Sequence, residues 1–144
     1  KILAHDIIEF TEFYKEHGVS AVSLDELIRL SEVVTLHLPL DNSTKHILNK
    51  NRLNLLRSDA ILINLARGGL IDEEYLEKML HDKKIAGAAL DVFEEEPPTD
   101  NSFAGLDNVL ITPHIGGSTE EAILAMGMAA IDGLDNAKDP LSFL

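Results

Sequence analysis

The sequence contains no cysteine. That excludes disulfides, cysteine-type zinc sites and a cysteine nucleophile, and it fits a reducing compartment such as the cytoplasm. Basic residues are scarce as well: 12 Lys and Arg stand against 25 Asp and Glu, for a net charge of −13 at pH 7. Such a chain is not suited to a nucleic-acid backbone or an anionic membrane surface as partner. The acids are scattered, so they read as a solvated surface and not as an acidic tail. No apolar run approaches the roughly 18 residues of a membrane span. There is no recognisable secretory leader, internal repeat or low-complexity tract. No His-Glu-x-x-His pattern points to zinc, and no Gly-x-Ser-x-Gly elbow points to a serine nucleophile; no metal is expected.

What is present is a globular composition, 45% hydrophobic over 144 residues, enough for one core and too little for two ordinary domains. Three short apolar runs each lead straight into a polar signature: Ala60–Ala66 into Arg67-Gly68-Gly69, Ile85–Leu90 into Asp91-Val92-Phe93 and three glutamates, and Val109–Thr112 into Pro113-His114-Ile115-Gly116-Gly117. Continuous apolar runs of this length suit strands buried on both faces of a parallel sheet. In open parallel sheets ligands bind beyond the carboxyl ends of the strands. Arg67, Asp91, Glu96 and His114 therefore fall where such a sheet does its chemistry.

In chain order, Lys1–Asp6 reads as a strand ending in an acid; the chain begins inside an element, so a preceding segment is expected. A helix is expected over Phe10–Glu16, with Gly18 as its stop, then a strand at Val19–Val22. Ser23 and Glu26 have capping-box spacing for a helix to about Leu30. A strand over Glu32–Leu38 ends at Pro39, and a short helix is expected within Asn51–Leu56. Asp72 is placed to cap a helix to about Asp82, with Tyr75, Leu76, Met79 and Leu80 on one face. Glu94–Asp107 is a long Pro- and Asp-rich loop, a length that often serves function. Ser118 and Glu121 read as a second capping box for the longest helix, to about Asn136, with a small-residue stripe of Ala122, Met126, Ala129, Ala130 and Gly133. Strands alternating with helices imply βαβ units and a mostly parallel α/β sheet with right-handed crossovers.

Each candidate residue also has a plainer reading. Asp6 at a strand end suits the hydroxyls of an adenosine ribose, or is an ordinary turn acid. Arg67 suits a two-pronged grip on a carboxylate, or is a surface arginine before a glycine turn. Asp91 is a polar contact for a cofactor or a turn acid, and Glu96 one acid of a solvated loop or something more. His114, between Pro113 and Gly116-Gly117, can accept a proton as neutral imidazole and return it as imidazolium, and a carboxylate partner would orient the ring and favour its charged form. A purely structural domain is the least supported reading, because packing does not require polar residues at three consecutive strand ends.

Taken together, Thr35-Leu36-His37-Leu38-Pro39-Leu40, Asn64-Leu65-Ala66-Arg67-Gly68-Gly69, Gly87–Phe93, Glu95-Glu96-Pro97 and Pro113–Thr119 resemble the D-isomer-specific 2-hydroxyacid dehydrogenases. The likeness covers nearly the whole chain and is strongest to the members that act on 3-phosphoglycerate. It implies a Rossmann-like domain with helices on both faces, NAD as cofactor, a small 2-hydroxy or 2-oxo acid as substrate, and a homo-oligomer. By the same resemblance His114 is the acid/base, Glu96 the carboxylate that orients it, and Arg67 the cation that holds the substrate carboxylate. Asp6 is the ribose acid and favours NAD over NADP; Asp91 lies near the nicotinamide carboxamide; Leu38, Leu65, Ala66, Gly116 and Gly117 line the cofactor. Gly116–Thr119 continues more as in phosphoglycerate dehydrogenases than as in glyoxylate reductases, and glutamate at position 96 disfavours formate. A non-enzymatic NAD(H)-sensing scaffold, like the family's co-repressor relatives that keep these residues, is the alternative.

One departure is large. The Gly-x-Gly-x-x-Gly loop should lie roughly 20 residues before Asp6, but only five residues precede it. Residues 1–117 are therefore read as a partial NAD-binding domain, and 118–144 as a C-terminal helix and the start of a return to a substrate domain. In the strand order 3-2-1-4-5-6 the central strand is then absent, leaving two sheet edges unpaired. The expected consequences are wrong strand pairing, exchange of elements between chains, or a place within a longer protein. Weak cofactor binding and no turnover are expected of this chain alone.

Overall fold

Short apolar runs alternating with amphipathic stretches fold into parallel strands joined by helices. The computed structural model describes residues 1–98 and 103–137. In chain order the elements are β1 (Ile2–Ala4), α1 (Thr11–Glu16), β2 (Val19–Ala21), α2 (Leu24–Leu30), β3 (Val33–Leu36), α3 (Lys50–Leu53), β4 (Ile61–Asn64), a 3₁₀ turn (Gly68–Leu70), α4 (Glu73–His81), β5 (Gly87–Leu90), β6 (Val109–Ile111) and α5 (Glu120–Asp135). Two compact units result, one from Lys1 to Pro113 and one beginning at His114.

Among the described residues all strand pairings are parallel, and they form two sheets: β1-β2, and β3-β4-β5-β6. The gap expected between the first two strands and the rest is therefore present, and the strands have not re-paired to close it. The core lies almost wholly on the second sheet. Val34 and Leu36 of β3, Leu62 of β4 and Ala88 and Leu90 of β5 pack with Ile28 of α2, Leu53 of α3 and Leu76, Met79 and Leu80 of α4. By contrast, no side chain before Ile28 is fully buried.

The strands are shorter than their apolar runs. β3 stops at Leu36, three residues before Pro39, β4 leaves out both ends of Ala60–Ala66, and β5 begins only at Gly87 of Ile85–Leu90. Burial on both faces holds best for β5, whose Gly87, Ala88 and Leu90 are buried. In β3 and β4 burial alternates, and Val33 and Ile61 remain 53% and 42% exposed.

Helix starts follow local hydrogen bonding. Ser23 and Glu26 close the expected capping box on α2. Asp72 caps α4 by accepting from the Tyr75 amide. Asn49 caps α3, accepting from Asn51 and Arg52, and Gly18 takes a left-handed φ of 65° after α1. For α5 the expected cap is corrected. Thr119, not Ser118, accepts from Ala122, because the helix begins at Glu120 and the residue just before it carries the extended backbone a cap needs. In the second unit, α5 carries Ile123, Leu124, Met126, Met128, Ile131 and Leu134 exposed. No helix among the described residues is long and apolar enough to cross a membrane. Residues 99–102 of the Glu94–Asp107 loop and 138–144 of the expected return lie outside the described residues.

Candidate active site

The pairing register places four strand ends level. Leu36 pairs with Asn64, Asn64 with Leu90 and Leu90 with Ile111. Whatever follows these four residues emerges on one rim of the sheet. Leu38 follows β3, Leu65-Ala66-Arg67 follow β4, Asp91 follows β5 and Thr112 follows β6.

Asn64 shapes the β4 exit. Its side chain is 1% exposed, donates to the Arg67 carbonyl at 2.8 Å and accepts from the Ala66 amide at 3.1 Å. A buried amide that satisfies both ends of a three-residue turn fixes that turn, since breaking either bond strands a polar group away from water. Arg67 is thereby held exposed, its guanidinium donating back to the Ala66 carbonyl at 2.6 Å. Leu65 is exposed, while Leu38 and Ala66 are half-buried against the core.

The chain past Arg67 presses on the β5 exit. A Cβ added to Gly68 would fall 1.9 Å from the Phe93 carbonyl carbon and 2.3 Å from the Glu94 nitrogen. Only glycine lets the two backbones lie this close. Asp91 is 3% exposed; its amide donates to the Asn64 carbonyl at 3.1 Å, and its carboxylate accepts from the Thr112 hydroxyl at 2.5 Å. Thus Asp91 ties the exits of β4, β5 and β6 together. Glu96 is exposed and folds back so that Oε1 accepts from the Phe93 amide at 3.0 Å.

Around this loop lies a group of charges. The Glu94 amide donates to Glu73 at 2.7 Å. The Glu94 carboxylate meets His46 Nε2 at 3.4 Å and Lys45 Nζ at 3.6 Å. Glu73, the first residue of α4, is half-buried. Desolvation, the largest cause, pushes its carboxyl up to about 7, against the Glu94 hydrogen bond; Glu94 and Glu96 add to the rise and His46 opposes it.

Asp6 lies in the exposed turn after β1, where Oδ1 accepts from the Ile8 amide at 2.9 Å. Beside it His5 lines an open pocket of about 450 Å³ with Ser23, Leu24, Asp25, Ser43, Ile47 and Arg52. Arg52 and Asp25 pair at 3.2 Å, so the pocket offers hydrogen-bonding groups more than net charge. His114, Gly116 and Gly117 belong to the second unit. There His114 is exposed and holds a left-handed φ of 53°, a backbone state that non-glycine residues occupy mostly where the surroundings enforce it. Arg67, Asp91 and Glu96 are thus gathered on exits of the same sheet, and Asp6 stands on the other. Sequence reasoning passed over Asn64, Glu73 and His46. Asn64 had a signal, a polar residue closing an apolar strand; Glu73 read only as the first acid of a helix.

This donor set fits a dinucleotide. It offers a carboxylate after the first strand, a buried carboxylate and apolar backbone segments along a level rim, and the exposed guanidinium of Arg67.

The family model described as D-isomer specific 2-hydroxyacid dehydrogenase, NAD binding domain, matches residues 1–116. A D-3-phosphoglycerate dehydrogenase of Methanocaldococcus jannaschii is 47% identical over 127 residues, which is 88% of this chain and 24% of that protein. A glyoxylate reductase of Thermococcus onnurineus is 45% identical over 119 residues, 83% of this chain and 36% of that protein. Among solved structures, an NAD-complexed D-isomer specific 2-hydroxyacid dehydrogenase from Lactobacillus delbrueckii superposes with a TM-score of 0.84 at 33% identity, over 97% of this chain and 48% of that one. The chain thus spans less than half the length of these proteins. The chain belongs to the D-isomer specific 2-hydroxyacid dehydrogenase family, whose NAD-binding domain its residues 1–116 match.

Proposed function

We propose that the protein carrying this chain is an NAD-dependent D-2-hydroxyacid dehydrogenase with a 3-phosphoglycerate-like substrate. The observation that carries the reading is the level rim of β3 to β6, which gathers Arg67 and buried Asp91 at the exits of neighbouring strands. NAD, when bound, supplies the acceptor for the hydride leaving C2 of the hydroxy acid. Arg67, exposed at the end of the Asn64 turn, holds the substrate carboxylate by paired N–H donors. His114 takes the proton from the 2-hydroxyl as C2 becomes a carbonyl, and returns it in the reverse direction. Glu96 has the role of orienting that imidazole. Asp6, whose turn occupies Oδ1, receives the ribose hydroxyls and disfavours a 2′-phosphate. Asp91 supplies an acceptor on the nicotinamide side, and Leu38, Leu65, Ala66, Gly116 and Gly117 line the cofactor. Support for a phosphorylated substrate comes from Gly116–Thr119 and from the likeness to the Methanocaldococcus protein. The same reading makes the protein a cytoplasmic homo-oligomer.

Replacing His114 with Ala in the protein carrying this chain should abolish turnover of 3-phosphoglycerate with NAD and leave NADH affinity within about threefold, because the interaction removed acts on the reacting proton. Turnover that survives the substitution would refute the reading.

A further inference from the structure

The loop that bears Glu96 is held from outside the residues assigned to catalysis. Its first glutamate, Glu94, is fixed at three points. Its amide donates to the Glu73 carboxylate at 2.7 Å, and its own carboxylate meets His46 at 3.4 Å and Lys45 at 3.6 Å. On the other side the loop backbone lies against Gly68. His46 is itself set by its amide, which donates to the Gly69 carbonyl at 2.8 Å, and by a left-handed φ of 48°. Three separate segments, the start of α4, the loop after β3 and the turn after β4, therefore converge on one residue two positions before Glu96.

We propose that Glu73 is a positioning residue for the reaction: by accepting the Glu94 amide it clamps the 93–96 loop against the Gly68 turn and so sets where the Glu96 carboxylate stands. The inference rests on the assignment of Glu96 as the carboxylate that orients His114.

The geometry carries the argument. Glu96 already folds back onto the Phe93 amide at 3.0 Å, so the backbone at 93 and 94 is its platform, and a loop free at Glu94 would let that platform move. Half-burial of the first residue of a helix is otherwise poorly motivated, since the Asp72 cap already serves the α4 N-terminus. The charged groups that face Glu73 are Glu94 and Glu96, which repel its ionised form, and His46, which attracts it; Lys45 acts through Glu94. The carboxylate is thus retained at a place where burial and two neighbouring acids disfavour it. A glutamine there would keep an acceptor oxygen and shed the repulsion.

The test compares Glu73→Ala, Glu73→Gln and Glu96→Gln in the protein carrying this chain. Hydrogen exchange is followed at the Glu94 amide, and kcat and KM are measured with NAD and 3-phosphoglycerate. Glu73→Ala is expected to speed Glu94 exchange at least tenfold and lower kcat at least tenfold, with the KM for NAD within about twofold. Glu73→Gln, which retains an acceptor, is expected to restore both to within about threefold of the parent. Unchanged Glu94 exchange in Glu73→Ala overturns the clamp. So does an unchanged kcat in Glu73→Ala when Glu96→Gln is impaired. Failure of Glu73→Gln to rescue a folded Glu73→Ala defect also counts against it. If Glu96→Gln turns over like the parent, the assignment of Glu96 falls, and the catalytic half of the inference falls with it.

Discussion

At the scale of single residues, Glu73 shows how burial and charge set a titration. Its carboxyl keeps a proton up to about pH 7 in the folded chain, against 4.5 for a free side chain. The folded form therefore binds more protons than the unfolded form between those values. Stability falls as pH rises through that window and stays low above it. Glu73→Gln cannot titrate, so it should melt a few degrees above the parent at about pH 8 and lose that advantage at about pH 4. Thermal melts at the two pH values check this, and a pH-independent difference would count against it. The positions of Arg67, Asp91 and Glu96 beyond the strand ends were legible in the sequence, because polar residues after apolar runs stand out. Glu73 was not, because its partner is a backbone amide 21 positions away, which no local pattern reveals. Asn64 did carry a signal, a polar residue at the end of a strand, but its value lies in burial, which the sequence does not show.

Elements were legible where they obey local chemistry. The Ser23–Glu26 box is a pair of reciprocal hydrogen bonds within four residues, readable from spacing and found as expected. Replacing Ser23 with Ala should cost about 0.5–2 kcal/mol by freeing the Glu26 amide, measurable as a shifted urea midpoint with an unchanged slope. The loss should remain at the lower end of that range, since the cap is solvent-exposed. The start of α5 was read one residue early because Ser118 and Thr119 are chemically alike, and backbone conformation decides between them. Strand lengths were overread for a related reason. Apolar runs such as Ala60–Ala66 continue past the last ladder partner, and pairing ends where the neighbour turns away. Ala66 stays apolar outside the strand because it packs against the core.

At the scale of the whole molecule, the gap between β1-β2 and β3-β4-β5-β6 was expected from the resemblance, while the expected alternative of wrong strand pairing to close it did not occur. The gap was legible only through that resemblance, which implies the strand order 3-2-1-4-5-6. What strand order does not reveal is how unevenly the core is shared. An NADH titration of the 144-residue chain, followed by nicotinamide fluorescence, should show no saturable binding in the micromolar range, since these 144 residues contain no Gly-x-Gly-x-x-Gly stretch to cradle the pyrophosphate. Saturable micromolar binding would mean that the rim and the Asp6 turn suffice to hold the dinucleotide.

The unequal core also has a consequence in time. Residues 1–22 contribute no fully buried side chain, whereas the four-stranded sheet encloses nearly all of them. Segments with so little to lose open first and most often. On each such excursion the Asp6 turn dissolves while the exits bearing Arg67 and Asp91 keep their shape. The Asp6 turn is therefore the most short-lived feature of the two sheets, renewed every time the first strands close and relinquished long before the rim of the larger sheet gives way.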